Sequence, residues 1–307
     1  REHDAYWWDE DGHEGFIAEI DPDTRSLVKR FWINEDPYDI VATSDGYLYV
    51  SSGSGQYTYI RGYNLSTASE VGSAPIRHRS HIKLHPSENY IYSADTDISP
   101  SDIEKFSISH GGIQALYDSP YMHSPYHGDY PMCGDLEISP DGTKIFTKCG
   151  HIFRSTKSQS TDMTHIGTLG DAWNSLTFDE MNNIYTVSGT SVRKYNYDTY
   201  EVMGEKSING NGRFVFYKNG YLIVITEDGD FPTKSSIQII DASPAPPASV
   251  NSLNESAVGI TWINWTWINP EDEEFNHTTV YMDGEFKANE AVSQFKITTK
   301  RRSNRAL

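Results

Sequence analysis

Basic side chains are scarce in this sequence of 307 residues, which has 25 Lys and Arg against 43 Asp and Glu and a formal net charge of −18. Nucleic-acid binding needs clustered Lys and Arg to meet the phosphates, so this balance argues against a nucleic-acid partner. It also argues against adsorption to an anionic membrane surface. No apolar run approaches the ~18 residues of a membrane-spanning helix, so we expect no direct membrane insertion by this segment.

Helical periodicity is also nearly absent. The chain consists of short runs rich in Tyr, Ile, Val and Phe, separated by clusters of Gly, Pro, Asp, Asn and Ser. Many short strands joined by tight turns produce this pattern. The sequence therefore predicts an all-β fold.

Two motifs recur along the chain. The first is a turn followed by a strand, clearest in Ser139-Pro-Asp-Gly-Thr-Lys-Ile-Phe. The second is a strand that runs into a polar turn, with aligned copies at Ile20, Tyr63, Phe106, Tyr195 and Ile240 and a middle copy near Phe153. The aligned positions differ by 43, 43, 89 and 45 residues, the third step spanning two repeats. A period of about 40–45 residues with several short strands is typical of β-propeller blades; the alternative is a β-sandwich with coincidental spacing.

The repeats set an expected size for the propeller. We count five complete repeats from Arg25 to Ile240, preceded by a partial one with strands over residues 5–8 and 16–20. A propeller closes its ring to remove exposed sheet edges. Six or seven blades are therefore expected, and closure is expected to need strands N-terminal to Arg1.

The chain after the repeats has a different pattern. The expected propeller covers residues 1–242, and a Pro-rich linker covers 243–248, where prolines favour a stiff, extended chain. In residues 249–307, Ile263, Trp265 and Trp267 alternate on one face of a strand, and Asp283-Gly284 suits a type I′ hairpin turn. These features predict the beginning of a β-sandwich that is truncated, since such domains need about 100 residues.

The last residues differ from the rest in charge. Residues 291–307 hold five bases and no acid. Because the charge changes sign there, we expect this segment not to be native sandwich sequence and to be disordered or unpaired.

Both parts resemble known families. The repeats, with Ser139-Pro-Asp-Gly-Thr-Lys-Ile-Phe the clearest, resemble the YVTN-type propeller repeats of archaeal surface-layer proteins. The segments Pro246-Pro-Ala-Ser-Val250, Ile263-Asn-Trp-Thr-Trp-Ile-Asn-Pro270 and Val280-Tyr-Met-Asp-Gly-Glu-Phe286 resemble fibronectin type III-like modules of methanogen cell-surface proteins. The repeats contain few strict Tyr-Val-Thr-Asn strings, and the resemblance stops after Glu290. It implies an extracellular or cell-surface location.

The sequence contains two cysteines, Cys133 and Cys149. They stand at equal distances from the centre of the Ser139–Thr143 turn, so they would face each other in an unbulged antiparallel hairpin. Opposed Cβ atoms are close enough for a bridge. We favour a disulfide, which would indicate an oxidising compartment, over two free buried thiols.

Four glycosylation sequons occur, at Asn64, Asn254, Asn264 and Asn276. Three of them fall in the C-terminal part, and Asn264 should lie on the face opposite Ile263. Glycosylation at a cell surface is one interpretation, and ordinary turn asparagines are the other.

No catalytic or cofactor motif is present, and we assign no catalytic, cofactor or metal residue. His81 and His85 would share a strand face but stand about 13 Å apart, too far for one ion. His123 and His127 flank Pro125 without a recognisable ligand pattern. Acidic stretches such as Asp95-Thr-Asp-Ile98 lack the spacing of a dedicated Ca²⁺ loop, so a structural Ca²⁺ is conceivable but unsupported.

Two functions remain open. The first is a non-enzymatic cell-surface or surface-layer protein with a structural or adhesive propeller, whose partners are other surface proteins or cell-wall glycans. The second is a periplasmic or extracellular propeller enzyme, lyase-like or oxidoreductase-like, or a solute-binding protein with a site at the central channel. The histidines around His81 are the feature that favours the second.

Overall fold

The computed structural model describes residues 15–95, 102–121, 130–229, 234–242, 251–259, 262–269, 278–282, 285–291 and 294–298. The fold is all-β, as expected, and these residues contain no helix. Accordingly, no helix in the described part of the chain is long and apolar enough to span a membrane. The chain divides into two compact units, Arg1–Asp241 and Ala242–Leu307.

The described residues of the first unit form six antiparallel sheets, numbered here in chain order. The first sheet pairs β1 (Gly15–Ile20) with β2 (Leu27–Ile33). The second contains β3 (Pro37–Ala42), β4 (Tyr47–Ser52), β5 (Tyr57–Asn64) and β6 (Ser69–Arg77). The third contains β7 (His81–Leu84), β8 (Tyr90–Ala94), β9 (Ile103–Ser109) and β10 (Gly112–Asp118).

The remaining three sheets continue the series. The fourth contains β11 (Leu136–Ile138), β12 (Lys144–Thr147), β13 (His151–Arg154) and β14 (His165–Thr168). The fifth contains β15 (Ser175–Phe178), β16 (Ile184–Ser188), β17 (Ser191–Tyr195) and β18 (Val202–Ser207). The sixth contains β19 (Asn211–Lys218), β20 (Tyr221–Glu227) and β21 (Ser235–Asp241). In every sheet the strands pair in chain order.

The sequence repeat coincides with one strand position. The aligned residues Tyr63, Phe106, Phe153 and Tyr195 lie on β5, β9, β13 and β17, the third strand of each four-stranded sheet. All four side chains are buried. The five repeats counted from the sequence do not coincide with single sheets. Each repeat begins at the last strand of one sheet and ends at the third strand of the next sheet. Among the described residues, four sheets have four strands, the first has two and the sixth has three.

Neighbouring sheets pack face to face, and the core lies between them. One cluster joins the second and third sheets through Tyr49, Ile60, Ala74, Ile76, Ile82, Ile91, Phe106 and Ile108. Another joins the third and fourth sheets through Tyr92, Ala94, Ile103, Met132, Leu136, Ile145, Phe153 and Met163. A third joins the fourth and fifth through Phe146, Ile152, Leu169, Trp173, Leu176, Ile184 and Tyr195. Both faces of the third and fourth sheets are thus apolar and covered.

In the second unit, the residues that the structure describes form two small antiparallel sheets. One has the order β22 (Asn251–Gly259), β23 (Trp262–Ile268) and β26 (Gln294–Thr298). The other is a hairpin of β24 (Thr278–Met282) and β25 (Glu285–Glu290), which flank the dipeptide that predicted a turn. Trp267 is buried, whereas Ile263 and Trp265 are half-buried.

The expectation that residues 291–307 are unpaired is wrong for residues 294–298. These residues form β26, which pairs with β23 so that Phe295 lies opposite Trp265 and Thr298 opposite Trp262. In the sequence, Phe295 and Ile297 alternate with polar neighbours, which is the period of a half-buried strand. This period predicts a strand even though the segment differs in charge from the rest of the chain. Residues 299–307 lie outside the described residues.

Truncation tests the pairing of β26. Ending the chain after Ala291 removes the partner of one edge of β23, so the amide hydrogens of residues 262–266 should exchange about tenfold faster by mass spectrometry. Ending it after Thr298 keeps β26 and should leave their exchange unchanged. Equal exchange in the two truncated proteins would show that β26 adds no protection.

Candidate functional site

The first strands of three consecutive sheets bring polar side chains together. We call this group the first-strand seam: Tyr38 and Asp39 on β3, His81 and Lys83 on β7, and Glu137 on β11. His81 Nδ1 is 3.3 Å from Asp39 Oδ2, and His81 Nε2 is 3.3 Å from Tyr38 Oη. Lys83 Nζ donates to Glu137 Oε1 at 2.7 Å. The seam therefore links the second, third and fourth sheets.

Electrostatics keep Asp39 and Lys83 of the seam charged, whereas burial raises the pKa of Glu137. Burial of Asp39 raises its pKa, but hydrogen bonds from His81 and from the backbone N–H groups of Ile82 and Ile40 outweigh burial and lower it. Burial lowers the pKa of Lys83, but the Glu137 carboxylate outweighs that effect and raises it. The seam thus holds an ionised carboxylate that orients a partly exposed imidazole.

His78 and His85, the histidines on either side of His81 in the sequence, have hydrogen-bond partners of their own. Nδ1 of His78 is 3.1 Å from the carbonyl oxygen of Gly55, and Nε2 of His85 is 2.9 Å from that of Gly142. The described residues contain no group of three or more His, Cys, Asp or Glu placed to hold a metal. His123 and His127 lie outside the described residues.

The structure joins Cys133 to Cys149 in a disulfide, with Cα atoms 5.2 Å apart. The sequence argument nevertheless assumed the wrong register, because Leu136 pairs with Thr147 and this ladder is offset by one residue from direct opposition of the cysteines. The offset arises at the turn, where Ser139 N–H bonds to the Lys144 carbonyl. Both cysteines lie in turns beyond the strand ends, and Cys133 is exposed.

The sequons lie at different kinds of position. Asn64 ends β5, and its Oδ1 accepts bonds from the backbone N–H groups of Ser66 and Thr67. Asn254 on β22 is exposed, and Asn264 on β23 is half-buried. Asn276 lies outside the described residues. Asn254 is therefore the described sequon most open to a bulky glycan.

A buried ion pair that the sequence did not reveal connects the third and fourth sheets. Lys105 Nζ on β9 donates to Asp162 Oδ2 at 2.6 Å, and their side chains are 1% and 0% exposed. Asp162 also accepts from the hydroxyls of Tyr92 and Tyr117 and from the Thr156 N–H. No local pattern marks this pair, since its members are 57 residues apart.

Removing one partner of this pair should be costly. Lys105→Met leaves Asp162 buried without its counter-ion, so urea denaturation should show a loss of about 3–5 kcal/mol in the free energy of unfolding. The double variant Lys105→Met/Asp162→Asn should recover part of that loss. The control Lys83→Met breaks a partly exposed pair and should cost below ~1 kcal/mol. Equal losses for Lys83→Met and Lys105→Met would contradict a special role for the buried pair.

An acidic cluster surrounds Glu104 on β9. Burial, together with the nearby carboxylates of Asp95, Asp118 and Asp102, raises the pKa of Glu104 to about 8. Asp95, from the stretch considered for Ca²⁺, is buried and its carboxylate accepts a bond from Ser80. The rest of that stretch lies outside the described residues.

The cluster makes stability depend on pH. Because the folded pKa of Glu104 lies above the ordinary value of 4.5, its protonated form favours folding; this contribution is complete below pH 4.5 and disappears as the pH rises to about 8. Glu104→Gln mimics the protonated form, so it should raise Tm by about 3 °C or more at pH 8. It should change Tm little at pH 4. The exposed Glu201→Gln serves as the control, and equal effects of both variants at pH 8 would refute the assignment.

Comparison with known proteins places the chain by fold alone. No family model matches it, and no curated protein matches it. Hydrazine synthase of Kuenenia stuttgartiensis is similar, with a TM-score of 0.53 and 15% sequence identity. The match covers 67% of this chain and 63% of that chain. A functionally unknown protein of Desulfotomaculum acetoxidans DSM 771 is similar with a TM-score of 0.53 and 12% identity over 93% of this chain and 96% of that one. A protein of unknown function from Bacteroides caccae has a TM-score of 0.50 and 12% identity over 74% of this chain and 86% of that one.

Proposed function

We propose that the chain is a non-enzymatic structural or adhesive module of an extracellular, cell-surface protein. Its first unit is proposed to be a β-propeller of six sheets, and its second a fibronectin-like module. The partners proposed are other surface proteins or cell-wall glycans. The observation that carries the proposal is the Cys133–Cys149 disulfide, which joins the turns before β11 and after β12.

The disulfide supports the proposed extracellular location, which is an oxidising compartment. Disulfides persist in oxidising environments and are rare where thiols are kept reduced. This one closes a loop with a sequence separation of 16 residues and has an exposed cysteine at one end. An exposed bridge on a protein with a net charge of −18 fits a secreted acidic surface.

The order of the strands supports the propeller. In each four-stranded sheet the first strand follows directly after the last strand of the preceding sheet. By this order, β1 and β2 occupy the third and fourth positions of their sheet, whereas β19 to β21 occupy the first three. Among the described residues, the sheet at each end of the series therefore has fewer than four strands, as in a ring opened at a single junction.

The open faces of the two terminal sheets support the same arrangement. The first sheet exposes Val28 and Trp32 by 58% and 55%. Four residues share one face of the sixth sheet by register and are 50–69% exposed: Phe214, Phe216, Ile237 and Ile239. Large contiguous apolar faces mark interaction surfaces. Every inner sheet covers such a face with its neighbour, so a further sheet face is the partner that fits.

Thiol chemistry tests the proposal. Protein isolated without reductant and unfolded should show no free thiol, because both cysteines are bonded. Reduction should destabilise the first unit by about 3 kcal/mol, the effect of opening a loop of this length. The unreduced protein should also bind insoluble cell-wall glycan or assemble with itself in sedimentation assays. Two free thiols in protein from an oxidising compartment, with no binding or assembly, would overturn the proposal.

The second candidate, a solute-binding or enzymatic propeller, is favoured by the first-strand seam. There Asp39 orients His81, and the seam lies on the strands that would line the central channel of a propeller. In this case His81→Ala should abolish ligand binding while leaving the disulfide and the assembly unchanged.

A further inference from the structure

Two imidazoles meet on the fourth sheet, away from the first-strand seam. His151 begins β13 and His165 begins β14, and Nδ1 of His151 is 3.3 Å from Nε2 of His165. In a tetrahedral site with metal–nitrogen bonds of about 2.0–2.1 Å, two ligand nitrogens stand ~3.3 Å apart. The observed separation therefore equals that of two histidine ligands on one ion.

A β-bulge produces this pairing. His151 pairs with Thr168 and Ile152 with Gly167, but Phe153 pairs with His165, so Ile166 is the extra residue. Without the bulge, Ile166 would oppose Phe153, and His165 would point to the other face of the sheet. Bulges often re-aim side chains beside functional sites.

Neighbouring aromatic rings hold the two imidazoles in place. Tyr130 stacks on His165 with ring centroids 4.1 Å apart and planes 9° apart, and it contacts His151 edge-on at 5.3 Å. Phe153 meets His165 edge-on at 5.4 Å. The backbone N–H of His165 donates to Tyr121 Oη at 2.8 Å. The pair is thus pre-organised, which lowers the entropic cost of binding an ion.

Access suits a metal ligand. Both side chains are half-buried rather than enclosed, so an ion can reach them with its remaining ligands as water.

We propose that His151 and His165 together bind one divalent transition-metal ion through Nδ1 and Nε2. The imidazole that donates the bond between them shifts its proton to its other ring nitrogen, so no proton is released. Imidazole pairs suit Cu²⁺, Ni²⁺ and Zn²⁺ rather than Ca²⁺ or Mg²⁺, and Cu²⁺ should bind tightest. This site lies on the fourth sheet, and it does not depend on the proposed function.

Metal titration of the whole chain tests this site. The protein is stripped with chelator and titrated with Cu²⁺ and Zn²⁺ in separate calorimetric experiments. One equivalent of Cu²⁺ should bind. His151→Asn and His165→Asn should each lower the affinity for Cu²⁺ at least about tenfold. His110→Asn, which removes an exposed histidine on the third sheet, is the matched control and should bind as the parent does.

Spectroscopy of the parent protein keeps the test independent of how the variants fold. Its bound Cu²⁺ should show electron paramagnetic resonance couplings to two imidazole nitrogens. The proposal is overturned if no stoichiometric ion binds, or if His110→Asn weakens binding as much as the two site variants do. It is also overturned if the spectrum shows only oxygen ligands.

Discussion

The first unit depends on one constraint, which is that each sheet has two apolar faces and both must be covered. A sheet buried on one face alone leaves its other face in water, and large apolar side chains contribute about 1.5–3 kcal/mol each when they are buried. Stacking the sheets in chain order solves this for the third and fourth sheets. The first and sixth sheets each keep one apolar face exposed, so the constraint is not met there. A ring is proposed because it would cover these two faces.

Polar groups specify where the stacked sheets meet. Apolar faces alone would allow neighbouring sheets to slide, whereas a buried ion pair must meet its partner or remain uncompensated. Lys105 and Asp162 do this inside the junction of the third and fourth sheets. Lys83 and Glu137 join the same two sheets at their first strands. Two ion pairs at different depths thus cross this junction, and the buried one carries the larger penalty when it is broken.

The sequence predicted the parts of the fold that depend on local patterns. Alternating apolar residues and turn dipeptides gave the all-β fold, and the aligned residues Tyr63, Phe106 and Tyr195 marked the third strands. What the sequence could not supply depends on register. The turn at Ser139 shifts its ladder by one residue, so the cysteine argument named the right pair for the wrong reason. β26 was missed because net charge was weighed above strand period.

Register also explains why the polar sites escaped sequence analysis. His81 was noticed because histidines cluster beside it, yet the structure gives its neighbours separate partners and joins His81 to Asp39 instead. His151 and His165 meet only because one extra residue in β14 turns His165 to the face of His151. A bulge leaves no mark in composition or spacing. In a fold built from short strands, single-residue shifts therefore decide which side chains meet, and chemistry has to be sought at the irregular positions of the ladders.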